Sequence, residues 1–162
     1  MPNKLKIGLV QAKVSLDIDK NLEKTAEHIQ KAAKKGASIV CLQELFAAKY
    51  FCQEEKKVIF NLAEKIPGRL SAFLSENARK NEVALVGGSI FEKDNGKFYN
   101  TSLIFDEKGS MTAKYRKVHI PNDPCYYEQF YFSSGNLGYV QAKVRETTIS
   151  PLICYDQWYP EA

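Results

Sequence analysis

No run in this sequence approaches the roughly 18 consecutive apolar residues of a membrane-spanning helix. The N-terminus also lacks a signal-peptide core, because Ile7 to Val10 is too short an apolar stretch and Lys13 follows it closely. There is no C-x-x-C pair, and Cys41, Cys52, Cys125 and Cys154 show no metal-ligand spacing with His28 or His119. These absences argue against a membrane partner, a secretory route, a disulfide framework and a structural metal. Free thiols in a reducing cytoplasm are the expectation. Low-complexity segments, linkers and internal repeats are missing too. The net charge of +4 is modest, and Lys20, Lys24, Lys31, Lys34 and Lys35 follow a helical pattern, as a solvated face does and a nucleic-acid groove does not. What is present, 44% apolar and 26% charged residues, suits one globular α/β unit.

The chain reads as alternating strands and helices. Leu5 to Val14 suggests a first strand. Asn21 to Gly36 is an amphipathic helix with Leu22, Ala26, Ile29 and Ala33 at helical spacing, Asp17 or Asp19 as cap and Gly36 as stop. An apolar strand from Ser38 ends at Glu44. Glu54 to Ile66 reads as a helical stretch broken by Pro67-Gly68, and Leu70 to Asn81 as a further helix. Val83 to Phe91 is expected as one buried strand, joined through Asp94-Asn95-Gly96 to a partner over Phe98 to Phe105. Glu107-Lys108-Gly109 turns the chain into a strand carrying Lys117 and ending at Pro121. The long aromatic segment Ile120 to Gly138 is either a substrate-pocket wall or a surface loop pinned by ring packing.

Cys154 is the most informative residue. Thr147 to Ile153 reads as a buried strand and Asp156 to Ala162 as the opening of a helix. A nucleophile at such a junction is exposed at a strand end and can receive N–H donors from the helix start. It gains reactivity only where a base takes its proton or its pKa falls from about 8.5. Glu44 and Lys117 each stand at the end of a strand. Strands of one sheet that run the same way place their C-terminal ends at one rim, so Glu44, Lys117 and Cys154 are expected to converge.

Gln43-Glu44-Leu45-Phe46, Tyr115-Arg116-Lys117-Val118-His119 and Ile153-Cys154-Tyr155-Asp156 occur in the order and local contexts of the nitrilase superfamily, the carbon–nitrogen hydrolases. Lys6 to Ala12 resembles that family's first strand, so the resemblance covers essentially the whole chain. It implies the first half of a four-layer αββα sandwich. Residues 1–162 would form one carbon–nitrogen hydrolase domain, incomplete at its C-terminus because the chain stops about a turn into the helix after Cys154. The resemblance also implies Cys154 as nucleophile, Glu44 as proton carrier, and Lys117 with the Tyr155 N–H as oxyanion stabilisers. Glu128 would be a second active-site glutamate that orients Lys117 or water. The role of Glu44 requires a carboxyl pKa raised toward neutrality by burial. No metal and no organic cofactor are implied; the partners are a small-molecule substrate and, at full length, further copies of the chain.

Within that superfamily, His119-Ile120-Pro121, Tyr126 to Phe132 and Cys154 to Ala162 are most similar to the N-carbamoylputrescine amidases. Cys125 stands where that group usually has glycine, Asn122 where an acidic residue is common, and Val140 to Thr148 departs from the usual hairpin. The alternatives are a β-ureidopropionase or another ω-amidase, or an inactive chain serving only as an interaction module. A Cys–His protease built on His119 lacks a recognisable Asn or Gln partner and the papain-like cysteine context. Asn100-Thr101-Ser102 is a glycosylation sequon by rule.

Overall fold

The computed structural model describes residues 4–162. Its centre is one mixed sheet. β1 (Ile7–Leu9) pairs in parallel with β2 (Ile39–Cys41), and β2 in parallel with β3 (Ala84–Val86). β4 (Ile90–Asp94) and β5 (Lys97–Phe105) form an antiparallel hairpin, and β6 (Met111–Arg116) runs antiparallel to β5 on its other side. Thr101 pairs with both Ile90 and Arg116, and Phe105 with both Leu85 and Met111. β3 and β4 therefore occupy the same flank of β5 in succession.

That arrangement corrects the expectation of an unbroken strand over Val83 to Phe91. The pairings Val86 with Ile104 and Ile90 with Thr101 leave three residues, 87 to 89, opposite two, 102 and 103, which is a β-bulge. Gly88 sits at φ +58, and a Cβ there would lie 2.0 Å from the carbonyl oxygen of Gln43. Only glycine lets the end of β2 pass so closely. The bulge also aims the Ser89 hydroxyl at the Leu45 N–H, which donates to it at 2.9 Å. It thereby supports the turn that begins at Glu44.

Two helices cover one face. α1 (Ile18–Lys34) starts where the Asp17 carboxylate accepts the Lys20 N–H at 3.1 Å, and the chain leaves it through Gly36 at φ +84. α2 (Arg69–Asn81) follows the Pro67-Gly68 break. Leu22 and Ile29 of α1 and Leu74 and Ala78 of α2 pack with Val40, Leu85 and Leu103, the alternate residues of three strands. On the opposite face Ile39, Ala84 and Ile104 meet Ala142 and Val144 of β9 (Ala142–Val144), which pairs with β10 (Thr147–Ile149). β1 is shorter than the sequence suggests. Beyond Leu9 only the Val10 N–H still reaches the Cys41 carbonyl, and the Ala12 N–H turns to the side chain of Gln43.

The helix expected over Glu54 to Ile66 is replaced by a single 3-10 stretch, Lys57–Leu62. Strand-like bonding takes over immediately after it: the Glu64 N–H donates to Phe91 and the Lys93 N–H to Glu64, laying the segment beside β4. Phe60 meanwhile packs on Phe98 at 4.7 Å and on Tyr131 at 5.5 Å. Tertiary ring packing and β pairing outweigh a modest helical preference.

The same cluster settles most of the 120–138 segment. Phe130, Tyr131 and Phe132 pack with Phe51, Phe60 and Phe91, so these rings pin the segment to the sheet. They follow a small hairpin, β7 (Asn122–Asp123) with β8 (Tyr126–Tyr127), and the single turn α3 (Glu128–Tyr131). At the tip, Pro124-Cys125 makes the turn with Cys125 at φ +67, the left-handed conformation that explains a glycine preference there. Cys125→Gly is therefore expected to stabilise the chain by about 0.5–1 kcal/mol, since the strain of a side chain exceeds the added entropy of glycine. A denaturant melt showing lower stability for Cys125→Gly would contradict this.

Candidate active site

β2 and β6 run in the same direction, because β2 is parallel to β3 and both β3 and β6 are antiparallel to β5. Their C-terminal ends open on one rim. Glu44 lies three residues past β2 and Lys117 one residue past β6. The Lys117 backbone is held from both sides: its N–H donates to the Asn100 carbonyl at 2.9 Å, and its own carbonyl accepts the Gly135 N–H at 2.8 Å. A Cβ on Gly135 would sit 2.0 Å from the Arg116 carbonyl, so the first glycine of the Gly-Asn-Leu-Gly run serves close backbone approach.

The Lys117 ammonium is fully buried between two carboxylates. Nζ donates to Glu44 Oε1 at 3.1 Å and to Glu128 Oε1 and Oε2 at 3.0 and 2.7 Å. Glu128 is itself buried and is the first residue of α3. Burial pulls the Lys117 ammonium down, but the charges of Glu44 and Glu128 outweigh it, so Lys117 stays above the ordinary lysine range. Burial pushes the Glu128 carboxyl up, and contact with Lys117 opposes that rise.

Cys154 shares a trough of about 370 Å³ with Glu44, lined also by Leu9, Ile39, Val86 and Ile104. Its backbone adopts φ +45, a left-handed conformation that costs a non-glycine residue about 1–3 kcal/mol. Burial pushes the thiol pKa up, the Glu44 carboxylate adds to that, and Lys117 opposes it. A resting thiol that keeps its proton needs a base, and Glu44 is the carboxylate beside it. The expected strand before Cys154 is corrected: β10 ends at Ile149 and pairs only with β9 among the described residues. Pro151 removes a ladder donor on the way to Ile153. After it the chain makes a 3-10 turn, Cys154–Trp158, in place of an α-helix from Asp156. The Tyr155 N–H lies in the first turn of that element, where backbone donors have no partner within the helix.

Two neighbours escaped sequence reasoning. The Asn100 side chain donates to Glu44 Oε1 at 2.8 Å, the same oxygen that Lys117 contacts, which leaves Oε2 for other partners. The glycosylation sequon thus lies inside β5, with Asn100, Thr101 and Ser102 all buried. Tyr50 donates its hydroxyl to Glu128 Oε1 at 2.9 Å. Burial and the Glu128 charge push the Tyr50 pKa up, so it remains a donor. Lys114 and Arg116 are both tied into an ion-pair network. Both contact the buried Glu92 carboxylate, and Arg116 also reaches Asp94 at 2.7 Å and lies over the Tyr99 ring at 3.8 Å. His119 is turned away from proton transfer: its ring stacks on Tyr159 at 3.6 Å between Asp156 and Glu161. Of the four thiols Cys52 is fully buried in the core, while Cys41 is half-buried.

Residues 6–162 match the carbon–nitrogen hydrolase family. The chain belongs to that family. Over 157 residues this carbon–nitrogen hydrolase is 37% identical to an N-carbamoylputrescine amidase of Solanum lycopersicum, which covers 96% of the chain and 52% of the relative. It is also 37% identical to an omega-amidase of Xenopus laevis over 166 residues, covering 98% of the chain and 57% of that relative. Among solved structures, a carbon–nitrogen hydrolase from Helicobacter pylori G27 superposes with a TM-score of 0.91 at 38% identity, over 97% of this chain and 54% of the other. The mixed α/β fold is therefore that of the nitrilase superfamily in part, and the chain spans about half the length of the curated relatives it matches. Among the described residues no helix is long and apolar enough to cross a membrane.

Proposed function

We propose that the intact protein hydrolyses a linear amide or carbamoyl C–N bond through a thioester on Cys154, with N-carbamoylputrescine as its preferred substrate. The observation that carries the reading is the Lys117 ammonium gripped by Glu44 and Glu128, with Cys154 in the same trough as Glu44. As sulfur adds to the substrate carbonyl, the thiol proton passes to Glu44. The oxygen gains negative charge next to Lys117 and the Tyr155 N–H, where one such donor typically contributes about 3–4 kcal/mol. Collapse of the tetrahedral adduct breaks the C–N bond, and Glu44 returns the proton to the leaving amine. Glu128 and Tyr50 hold Lys117 in place. Water then adds to the thioester, giving its proton to Glu44; collapse of that adduct breaks the C–S bond, the acid leaves, and Glu44 returns the proton to the Cys154 sulfur. With a carbamoyl substrate the released acid decomposes to CO2 and ammonia, leaving putrescine, a product that fits polyamine synthesis. Four free thiols are in keeping with a cytoplasmic enzyme.

The substrate assignment is supported by the similarity to the Solanum lycopersicum amidase and by Tyr126, whose ring lies 6.1 Å from that of Tyr50, the residue bonded to Glu128. Aromatic faces attract an ammonium tail by about 0.5–2 kcal/mol, so exclusion of anionic tails must supply the rest of the discrimination. The similarity to the Xenopus enzyme favours a second reading, an ω-amidase. The test is kcat/KM of the intact protein for N-carbamoylputrescine against N-carbamoyl-β-alanine. At least a tenfold preference for the diamine derivative is expected. Preference for the β-alanine derivative would overturn the substrate and leave the Cys154 chemistry standing.

A further inference from the structure

The Asp156 carboxylate takes no part in the steps above, yet it is fully buried and densely bonded. Its Oδ2 accepts the Ile153 N–H at 3.0 Å and the Tyr115 hydroxyl at 2.7 Å. Its Oδ1 accepts the His119 N–H at 2.9 Å and lies 3.0 Å from His119 Nδ1. The Asp156 N–H donates back to the Ile153 carbonyl at 3.1 Å. A carboxylate withdrawn from water requires such contacts. What they connect is more informative than their number.

On one side, two reciprocal bonds close the chain from Ile153 to Asp156 around Cys154 and hold the nucleophile at its unfavourable φ of +45. On the other side, Tyr115 and His119 stand two residues before and two residues after Lys117. One buried carboxylate thus ties the turn that carries the nucleophile to both shoulders of the segment that carries the cation. We propose that Asp156 is a positioning residue that fixes Cys154 relative to Lys117. The inference rests on the reading of Cys154 as nucleophile and extends it.

The bonding makes the charge irreplaceable by shape alone. Each carboxylate oxygen accepts one backbone N–H, Ile153 on Oδ2 and His119 on Oδ1. The Tyr115 hydroxyl can rotate to accept, and an imidazole can change tautomer, but a backbone N–H only donates. An asparagine at this position must turn its NH2 toward one of the two. Asp156→Asn therefore breaks either the closure of the turn or its tie to the lysine segment, at unchanged volume. Misplacing a reacting group by about 1 Å costs on the order of 100-fold in rate.

The experiment measures kcat, KM and the thermal melt of intact wild type, Asp156→Asn, Tyr115→Phe and Cys154→Ala, on whichever of the two carbamoyl substrates wild type turns over faster. Asp156→Asn is expected to lose about 100-fold in kcat, with KM within about threefold of wild type. Tyr115→Phe, which removes one neutral donor and leaves both backbone bonds, is expected to lose about three- to tenfold in kcat with KM unchanged. A folded Asp156→Asn protein with kcat within about threefold of wild type overturns the inference. If Asp156→Asn does not fold, Tyr115→Phe decides: lowered kcat at constant KM supports positioning, and unchanged kcat overturns it. Activity retained by Cys154→Ala would instead remove the nucleophile reading itself. An inactive Cys154→Ala beside an unimpaired Asp156→Asn removes only the positioning role.

Discussion

Cys154→Ala in the intact protein is expected to lower kcat by at least about 10,000-fold, because with Cys154 as the proposed nucleophile its deletion removes the covalent pathway itself. The fold should persist. Cys154 is exposed, and alanine bears much the same strain at φ +45 as cysteine does. Cys154→Ser should be nearly as inactive, since Glu44 would then have to accept a proton from a far weaker acid. The resting state supplies an independent check. Partial burial and the Glu44 charge hold the thiol above its ordinary pKa, so alkylation of Cys154 by iodoacetamide should be slow at pH 7 and keep rising beyond the usual thiol range. Substantial hydrolysis by pure Cys154→Ala protein would exclude the thioester route.

Lys117→Ala should damage both activity and stability. On the proposed mechanism, loss of the cation beside the developing oxyanion is expected to lower kcat by about 100- to 1,000-fold. In the folded protein it also leaves Glu44 and the buried Glu128 facing each other without the charge that joins them, a change of the kind that costs about 3–5 kcal/mol. The pH dependence has a definite sign. Lys117 is held above its ordinary range in the folded state, so its contribution is fully present at neutral pH and fades only in strong alkali, as pH rises through that raised value. Glu128 is already pushed up by burial, and removing Lys117 pushes it further, so the variant binds a proton more readily folded than unfolded. Its deficit in Tm relative to wild type should therefore shrink as pH falls from 8 toward 5. A deficit constant over that interval would mean that the lost packing of the lysine stem, and not the unpaired carboxylates, accounts for the damage.

The rim was legible because its chemistry is written at strand ends. Glu44 and Lys117 follow short apolar runs, and parallel strands place such ends together, so their meeting follows from order along the chain. Glu128 was readable only through resemblance, since nothing in its local spacing says that it will be buried. Asn100 and Tyr50 carried no such signal. Asn100 is an interior residue of β5 that reaches Glu44 only because β5 lies between the strands that deliver Glu44 and Lys117. The same limit applies to the elements. The hairpin at Asn95-Gly96 is a local event with φ of +46 and +78 at its two loop residues, and the sequence announces it. The bulge at 87–89 depends on the approach of Gln43 from the segment after β2, and the failed helix over 54–66 depends on rings from β4, β5 and α3. Partners distant in sequence decide those regions.

The burial of Asn100 in β5 has a consequence for how this protein can be made. Sugar transfer to a sequon happens on an unfolded chain, before strands pair, and the acceptor is the same side-chain nitrogen that later donates to Glu44. A molecule sent through a eukaryotic secretory pathway and modified there would carry a bulky glycan at a position with no exposure to solvent. β5 could then not enter between β4 and β6, and the Lys117 N–H would lose its acceptor on Asn100. Glycosylation and the contact with Glu44 thus compete for one nitrogen atom, and a secreted preparation would need Asn100 left bare.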